Sequence, residues 1–234
     1  MLNKLLTLVM IAFPFFSGAQ IIDRVTIKAG EDVTNILSKH GLYLFHDFTI
    51  AEVKFKNGTS TKARMNFNVY MNKAQFISDK GDTLVLNKPE LVDSILFDSA
   101  TFYYQGGYKQ VIETGNGAML VLDRKISFDF IKKGGYDAPA PAGATTETIE
   151  DIYFAGGYNG EKKLIADQDI IAIKKSTYFI IYDKARKTAA NFTGFQSAFP
   201  EKKKEIKDFS TINNINYKNE GDLRKVFKFC INHL

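Results

Sequence analysis

The stretch of sequence that most constrains the fold is TIAEVKFKNGTSTKARMNFNVY, residues 49–70. From Lys62 to Tyr70 polar side chains alternate with apolar ones, and residues 52–56 alternate in the same way. A period of two with one apolar face is typical of a half-buried antiparallel strand. The two runs are therefore predicted to pair as a hairpin whose turn contains Asn57-Gly58.

The register of this hairpin follows from matching the two faces. A two-residue loop would place Val53 opposite Lys62 and spoil the apolar face, whereas the three-residue loop Lys56-Asn57-Gly58 places Ala51 opposite Ala63. We therefore predict the three-residue loop, with its glycine in the left-handed conformation.

Similar short runs continue to about residue 183 and are separated by turn residues such as Lys80-Gly81-Asp82. Helical periodicity then predicts two helices, from Pro200 to about Phe209 and over Glu220–Leu234, the second capped by Asn219. We predict a mainly β (α+β) fold, an antiparallel β-sandwich or barrel-like sheet with these two helices packed on it. The predicted later strands are 74–78, 83–86, 94–97, 101–104, 109–113, 119–122, 126–130, 149–154, 163–166, 170–174 and 178–183.

The first 19 residues have the features of a secretory signal peptide. Lys4 precedes an apolar run over residues 5–16, and Ser17 and Ala19 place small side chains where signal peptidase requires them. This run is shorter than the roughly 20 apolar residues that span a bilayer. We therefore expect an exported chain, periplasmic, associated with the cell surface or secreted, with no transmembrane segment after cleavage.

Composition and periodicity divide the chain after residue 19 into two parts, the first of which contains a predicted loop. Residues 20–192 are predicted to form the antiparallel β domain, and residues 193–234 a helical segment packed on its sheet. Within the β domain, residues 134–148 are rich in Pro, Gly and Ala and are expected to be an exposed loop.

Charge and cysteine content narrow the class of protein. Removal of residues 1–19 takes away one lysine and no acid, so the net charge falls from +5 to +4. A small and dispersed surplus argues against nucleic acid as a partner, and Lys202-Lys203-Lys204, interleaved with acids, is predicted to be a solvated helix face. The single cysteine, Cys230, excludes an internal disulfide and falls on the apolar stripe Leu223, Val226, Phe227, Ile231 and Leu234, which predicts burial.

A search for catalytic and ligand-binding motifs predicts no cofactor and no metal site. The three histidines, His40, His46 and His233, lack metal-ligand spacing, and the chain contains neither a Gly-x-Ser-x-Gly nor a phosphate-binding glycine motif. A pair of catalytic carboxylates leaves no local signature, so no two acids can be preferred. The candidates are Asp47, Glu52, Asp79, Asp82, Glu113, Asp129 and Asp151.

The tripeptide Gly-Gly-Tyr occurs three times and gives the candidate partner-binding residues Tyr108, Tyr136 and Tyr158. At flexible tips, tyrosine rings offer rigid amphipathic contact area to a protein or glycan. The alternative is structural, with Gly-Gly supplying a turn and the tyrosine capping a strand end.

Several short motifs give the chain a family resemblance. They are Phe55-Lys56-Asn57-Gly58, Met65-Asn66-Phe67-Asn68, Phe76-Ile77-Ser78-Asp79-Lys80-Gly81-Asp82, Phe199-Pro200-Glu201-Lys202-Lys203-Lys204 and the closing segment Asn219–Leu234. With them the chain resembles uncharacterised exported β-rich proteins of Bacteroidota over most of its length after residue 19. The resemblance implies a cell-envelope setting and no assigned activity, so no functional residue is carried over from it.

Two functions remain as hypotheses. The first is an exported, non-enzymatic β domain that binds an unidentified envelope or extracellular protein or glycan. The alternative is a carboxylate-dependent hydrolase acting on a polymer. An enzyme should gather two or more of the acids in one concave pocket with shifted pKa values, whereas a binding module should show only an exposed apolar or aromatic patch.

Cleavage after Ala19 is a direct test of the export hypothesis. The intact mass of the exported protein should correspond to a chain beginning at Gln20, because Ser17 and Ala19 fit the peptidase and the apolar run is short. A mass beginning at Met1, or retention of the protein in detergent-extracted membrane, would contradict this prediction.

Overall fold

A computed structural model describes residues 20–131, 165–166, 168–183 and 186–232. The signal peptide, the predicted loop 134–148 and the predicted strand 149–154 lie outside this range. The strands are β1 Gln20–Ile27, β2 Thr49–Phe55, β3 Ser60–Asn68, β4 Lys73–Ile77, β5 Thr83–Val85, β6 Val92–Leu96, β7 Thr101–Tyr104, β8 Tyr108–Gly115, β9 Ala118–Ile131, β10 Asp169–Tyr182 and β11 Arg186–Ala189. The helices are α1 Val33–Lys39, α2 Phe192–Ala198, α3 Lys203–Ile212 and α4 Glu220–Asn232.

All of these strands belong to one antiparallel sheet. Its hydrogen-bonded order is β1-β10-β9-β8-β7-β6-β2-β3-β4-β5, and β11 pairs with the part of β10 that extends past β1. Among the described strands the two ends of this path, β1 and β5, do not pair with each other, so the sheet is open. The prediction of a mainly antiparallel β fold that carries short helices is confirmed.

The hairpin of β2 and β3 has the predicted register. Ala51 pairs with Ala63 and Val53 with Thr61, and Gly58 has a φ of 86°. The amide of Gly58 donates to the carbonyl oxygen of Phe55, which closes the turn. The match between the apolar faces therefore fixed the loop length correctly.

Strands β9 and β10 each have 14 residues, and each replaces two shorter predicted strands. The sequence predicted that each strand would end in the middle, because charged and polar residues interrupt the apolar alternation near residues 123–125 and 174–177. In the sheet these polar stretches pair with each other, Asp123 with Thr177 and Arg124 with Ser176. Polar residues opposite one another therefore continue the ladder instead of ending it.

The larger hydrophobic cluster lies inside the curve of the sheet. Strands near both ends of the hydrogen-bonded path contribute to it, for example Ile27 of β1, Phe67 of β3 and Ala74 of β4. Phe67 stacks on Phe102 of β7 with ring centroids 4.2 Å apart. The open sheet is therefore curled enough for its two ends to share one core.

The second hydrophobic cluster joins β8, β9 and β10 to the C-terminal helices. Leu223, Val226, Phe227 and Cys230 of α4 are fully buried, as the helical stripe predicted. Burial raises the pKa of the Cys230 thiol to about 12, so the thiol stays protonated. Three helices rather than two follow the sheet, because α2 begins where Asn191 caps the amide of Gly194.

Close contacts fix α4 on the sheet. A Cβ at Gly115 of β8 would lie 2.4 Å from the Cδ1 of Ile231, so the Ile231 side chain would have to move to admit a larger residue there. The ammonium group of Lys202, which is 4% exposed, donates to the carbonyl oxygen of Cys230 at 2.5 Å. The prediction of a solvated face for Lys202-Lys203-Lys204 is wrong for Lys202, because its charge caps a buried helix end.

Shortening Phe227 to alanine should destabilise the protein strongly, since its ring is completely buried between α4 and the sheet. The expected loss in the free energy of unfolding is about 3–5 kcal/mol. Denaturant unfolding of Phe227→Ala and of the exposed control Lys207→Ala measures this difference. A loss similar to that of the control, which should be within about 0.5 kcal/mol of the wild type, would contradict the role of α4 as part of the core.

Candidate functional site

A groove bordered by described residues lies beside β8, has a volume of about 760 Å³, and is called the β8 groove below. Its walls come from the turn between β6 and β7, from the end of β8, and from one side chain of α4. The residues used in the argument below are Lys56, Asp93, Asp98, Tyr103, Glu113 and Arg224.

The groove exists because β8 is longer than β7. Pairing between the two strands ends at Thr101 and Val111, whereas β8 continues to Gly115. Residues 112–115 therefore have a strand neighbour on one side only, which is β9. The register with β9 also shifts between Val111 and Glu113, so Ile112 is a bulged residue.

Arg224 of α4 reaches this part of β8. Its Nη1 donates to the carbonyl oxygen of Ile112 at 2.6 Å and lies 3.7 Å from the Oε2 of Glu113. Lys228, one helical turn further on, lies 3.3 Å from the same carboxylate oxygen. Two cations from α4 therefore hold Glu113, and a side chain satisfies one backbone acceptor that has no strand partner.

Glu220 positions the Arg224 guanidinium. One of its carboxylate oxygens accepts from Nε and Nη2 of Arg224 at 3.0 and 2.9 Å, and the other accepts from the Tyr178 hydroxyl at 2.7 Å. Burial raises the pKa of Glu220, but the hydrogen bonds from Tyr178 and Arg224 and the nearby arginine charges outweigh it and leave that pKa below its ordinary value. The carboxylate is therefore held in its charged form.

The opposite wall of the groove carries two exposed carboxylates. Asp93 accepts a hydrogen bond from the Ser94 hydroxyl at 3.2 Å, and neither Asp93 nor Asp98 forms an ion pair with another described residue. Lys56 is the one cation that this wall contributes. Between the walls lies Tyr103, whose buried hydroxyl has no hydrogen-bond partner within the described part of the chain.

A buried ion pair lies beside Tyr103. Lys109 donates to Asp123 at 2.7 Å, and the two side chains are 7% and 4% exposed. Burial, together with the charge of Asp123, raises the pKa of Tyr103 to about 12. The Tyr103 hydroxyl is therefore neutral at physiological pH and can donate or accept a hydrogen bond.

The structure separates the three predicted tyrosines. Tyr108 is 2% exposed and packs edge-to-face on Phe67 and Tyr104, so it belongs to the core and not to a partner-binding surface. The correction has a local cause: Gly106 and Gly107 have positive φ and form the turn that directs Tyr108 inward at the start of β8. Tyr136 and Tyr158 lie outside the described residues.

Of the candidate acids within the described part of the chain, Glu113 alone lines the groove. Asp79 and Asp82 are exposed around a turn, and Asp47 pairs with exposed His46 at 2.9 Å. Asp151 and His233 lie outside the described residues. Sequence reasoning missed Asp93, Asp98 and Arg224, which carry no local motif and are brought together by the fold.

Two further findings concern the described residues as a set. No group of three or more His, Cys, Asp or Glu side chains among them has an arrangement that could hold a metal ion. Within the same part of the chain, no helix has the length and apolar character that crossing a membrane requires.

Comparison of the chain with protein-family models, with curated proteins and with solved structures gives no match. The geometry of the β8 groove is therefore the basis for the functional proposal.

Lowering the pH should remove the contribution of Glu220 to the free energy of unfolding. Its pKa is depressed in the folded state, so its contribution is present above about pH 4.3, the ordinary value in an unfolded chain, and is lost as pH falls through the folded value. The stability difference between the wild type and Glu220→Gln should therefore be larger at pH 7 than at pH 3. Denaturant unfolding at both pH values measures it, with exposed Glu205→Gln as control, and an unchanged difference would contradict the assignment.

Proposed function

We propose that this protein is an exported, non-enzymatic β domain that binds a protein or glycan of the cell envelope or its surroundings through the β8 groove. The observation that carries the proposal is the groove itself, about 760 Å³ in volume, within the usual range of ligand sites. It combines exposed Asp93 and Asp98 with a fixed guanidinium from Arg224. These groups can supply the oriented polar contacts that specific recognition requires.

Export is supported by the signal-peptide features of residues 1–19. The described strand β1, Gln20–Ile27, lies entirely after Ala19, so cleavage there would keep these residues in the mature chain. The sheet could then form from the mature chain alone.

The alternative, a carboxylate-dependent hydrolase, receives less support from this groove. A general acid is usually a carboxyl group whose pKa is raised by apolar surroundings. Asp93 and Asp98 are instead exposed to solvent, and Glu113 lies between two cations from α4. The arrangement is better suited to hydrogen bonding and charge complementarity than to proton transfer.

Cross-linking of the tagged full chain in its own envelope tests the proposal. The groove variant is Asp93→Lys/Asp98→Lys, and the matched control Asp79→Lys/Asp82→Lys makes the same charge change at an exposed turn on another part of the sheet. A component captured by the wild type and the control should be lost, or reduced at least about tenfold, with the groove variant. Identical capture by all three proteins would contradict binding at the groove.

A further inference from the structure

We infer that the occupant of the β8 groove is an extended peptide that adds as a strand to the open edge of β8 and places a basic side chain against Asp93 and Asp98. This inference rests on the proposed function and specifies the class of partner. The feature of the molecule that supports it first is the unpaired backbone edge of β8; the acidic residues come second.

The open edge of β8 is long enough to accept a short strand. Residues 112–115 extend past the last pair with β7, and at about 3.3 Å per residue they offer roughly 13 Å of strand. A strand edge without a neighbour presents backbone donors and acceptors to any extended chain that reaches it. Adding a strand to such an edge is a recurring mode of peptide recognition, in which the backbone supplies affinity and pockets supply specificity.

The groove lies along this edge. Ile112, Glu113 and Thr114 all line it, so space for a guest chain and an open strand edge occur at the same place. Arg224 already donates to the carbonyl oxygen of Ile112, so that acceptor is satisfied and the guest strand would pair with β8 beyond it, at Thr114. A guest strand would continue the sheet beyond the turn between β6 and β7.

Charge selects the side chain that such a peptide should carry. The charged residues that line the groove are Lys56, Arg224, Asp93, Asp98 and Glu113, and Arg224 lies beside Glu113. Two cations against three carboxylates leave the lining with one uncompensated negative charge. A lysine or arginine on the guest would neutralise it, whereas an acidic side chain would be repelled.

A random octapeptide display library, selected on the full mature chain, tests this inference. The enriched peptides should contain Lys or Arg and should protect the amide of Thr114 from hydrogen exchange, because the neighbouring residues Glu113 and Gly115 direct their amides toward β9. Two exposed charge pairs contribute modestly, so Asp93→Asn/Asp98→Asn should weaken binding about fivefold, and the control Asp79→Asn/Asp82→Asn should leave binding unchanged. N-methylation of alternate backbone nitrogens of the peptide should weaken binding at least about tenfold, because it removes the donors of the added strand.

The results separate this inference from the proposed function. Failure to enrich any peptide, or enrichment of peptides that tolerate every N-methylation, overturns strand addition. If the groove variant still loses its envelope component in the cross-linking experiment, groove binding stands and the partner is a glycan or a folded surface. If the cross-linking result is also negative, both proposals fail.

Discussion

The pairing of β9 with β10 is the interaction on which the other parts of the fold depend. Thirteen positions pair along these two strands, from Ile131 with Asp169 to Met119 with Ile181. On one and the same face, Phe128 packs into the larger cluster and Leu120 into the cluster that holds the C-terminal helices. Because side chains alternate with a period of two, a slip of one residue would remove both sets from their cores.

A buried charge in the middle of β9 helps to specify how the neighbouring strands align. Asp123 of β9 is buried against Lys109 of β8, and Lys187 of β11 lies 3.5 Å from the same carboxylate. Removing charges from water costs several kcal/mol per ion, so the Asp123–Lys109 ion pair need not add net stability. A shifted register, however, would leave a charge buried without its partner, which is costly. We interpret the pair as a feature that favours one alignment of the strands.

Local sequence predicted the features of this fold that depend on neighbouring residues, but not those that depend on distant contacts. The register of β2 and β3 depends on two adjacent runs and one turn, so face matching predicted it. The stripe of α4 was predictable for the same reason. The continuity of β9 and β10 was not, because Arg124 suggests a break until Gln110 is known to accept its hydrogen bond at 2.6 Å. Tyr108 was misassigned because Gly106-Gly107 precedes both exposed tips and strand starts.

The candidate site was beyond local reasoning for a different physical reason. The β8 groove arises from a difference in length between two strands and from Arg224, which is 112 positions away from Ile112 in the sequence. No spacing rule links residues that meet only after the helix has packed on the sheet. The site could be recognised only once strand pairing and helix position were both known.

The same helix serves the core and the groove, and its periodicity explains how. Leu223 and Phe227, four residues apart, are buried in the cluster, while Glu220, Arg224 and Lys228 repeat at the same interval on the adjacent stripe. Burial fixes the helix backbone, and the two hydrogen bonds from Arg224 to Glu220 fix the guanidinium relative to that backbone. Side chains held in this way on a rigid element can present donors in a constant geometry. The position of the guanidinium beside β8 is therefore a consequence of the hydrophobic packing of α4.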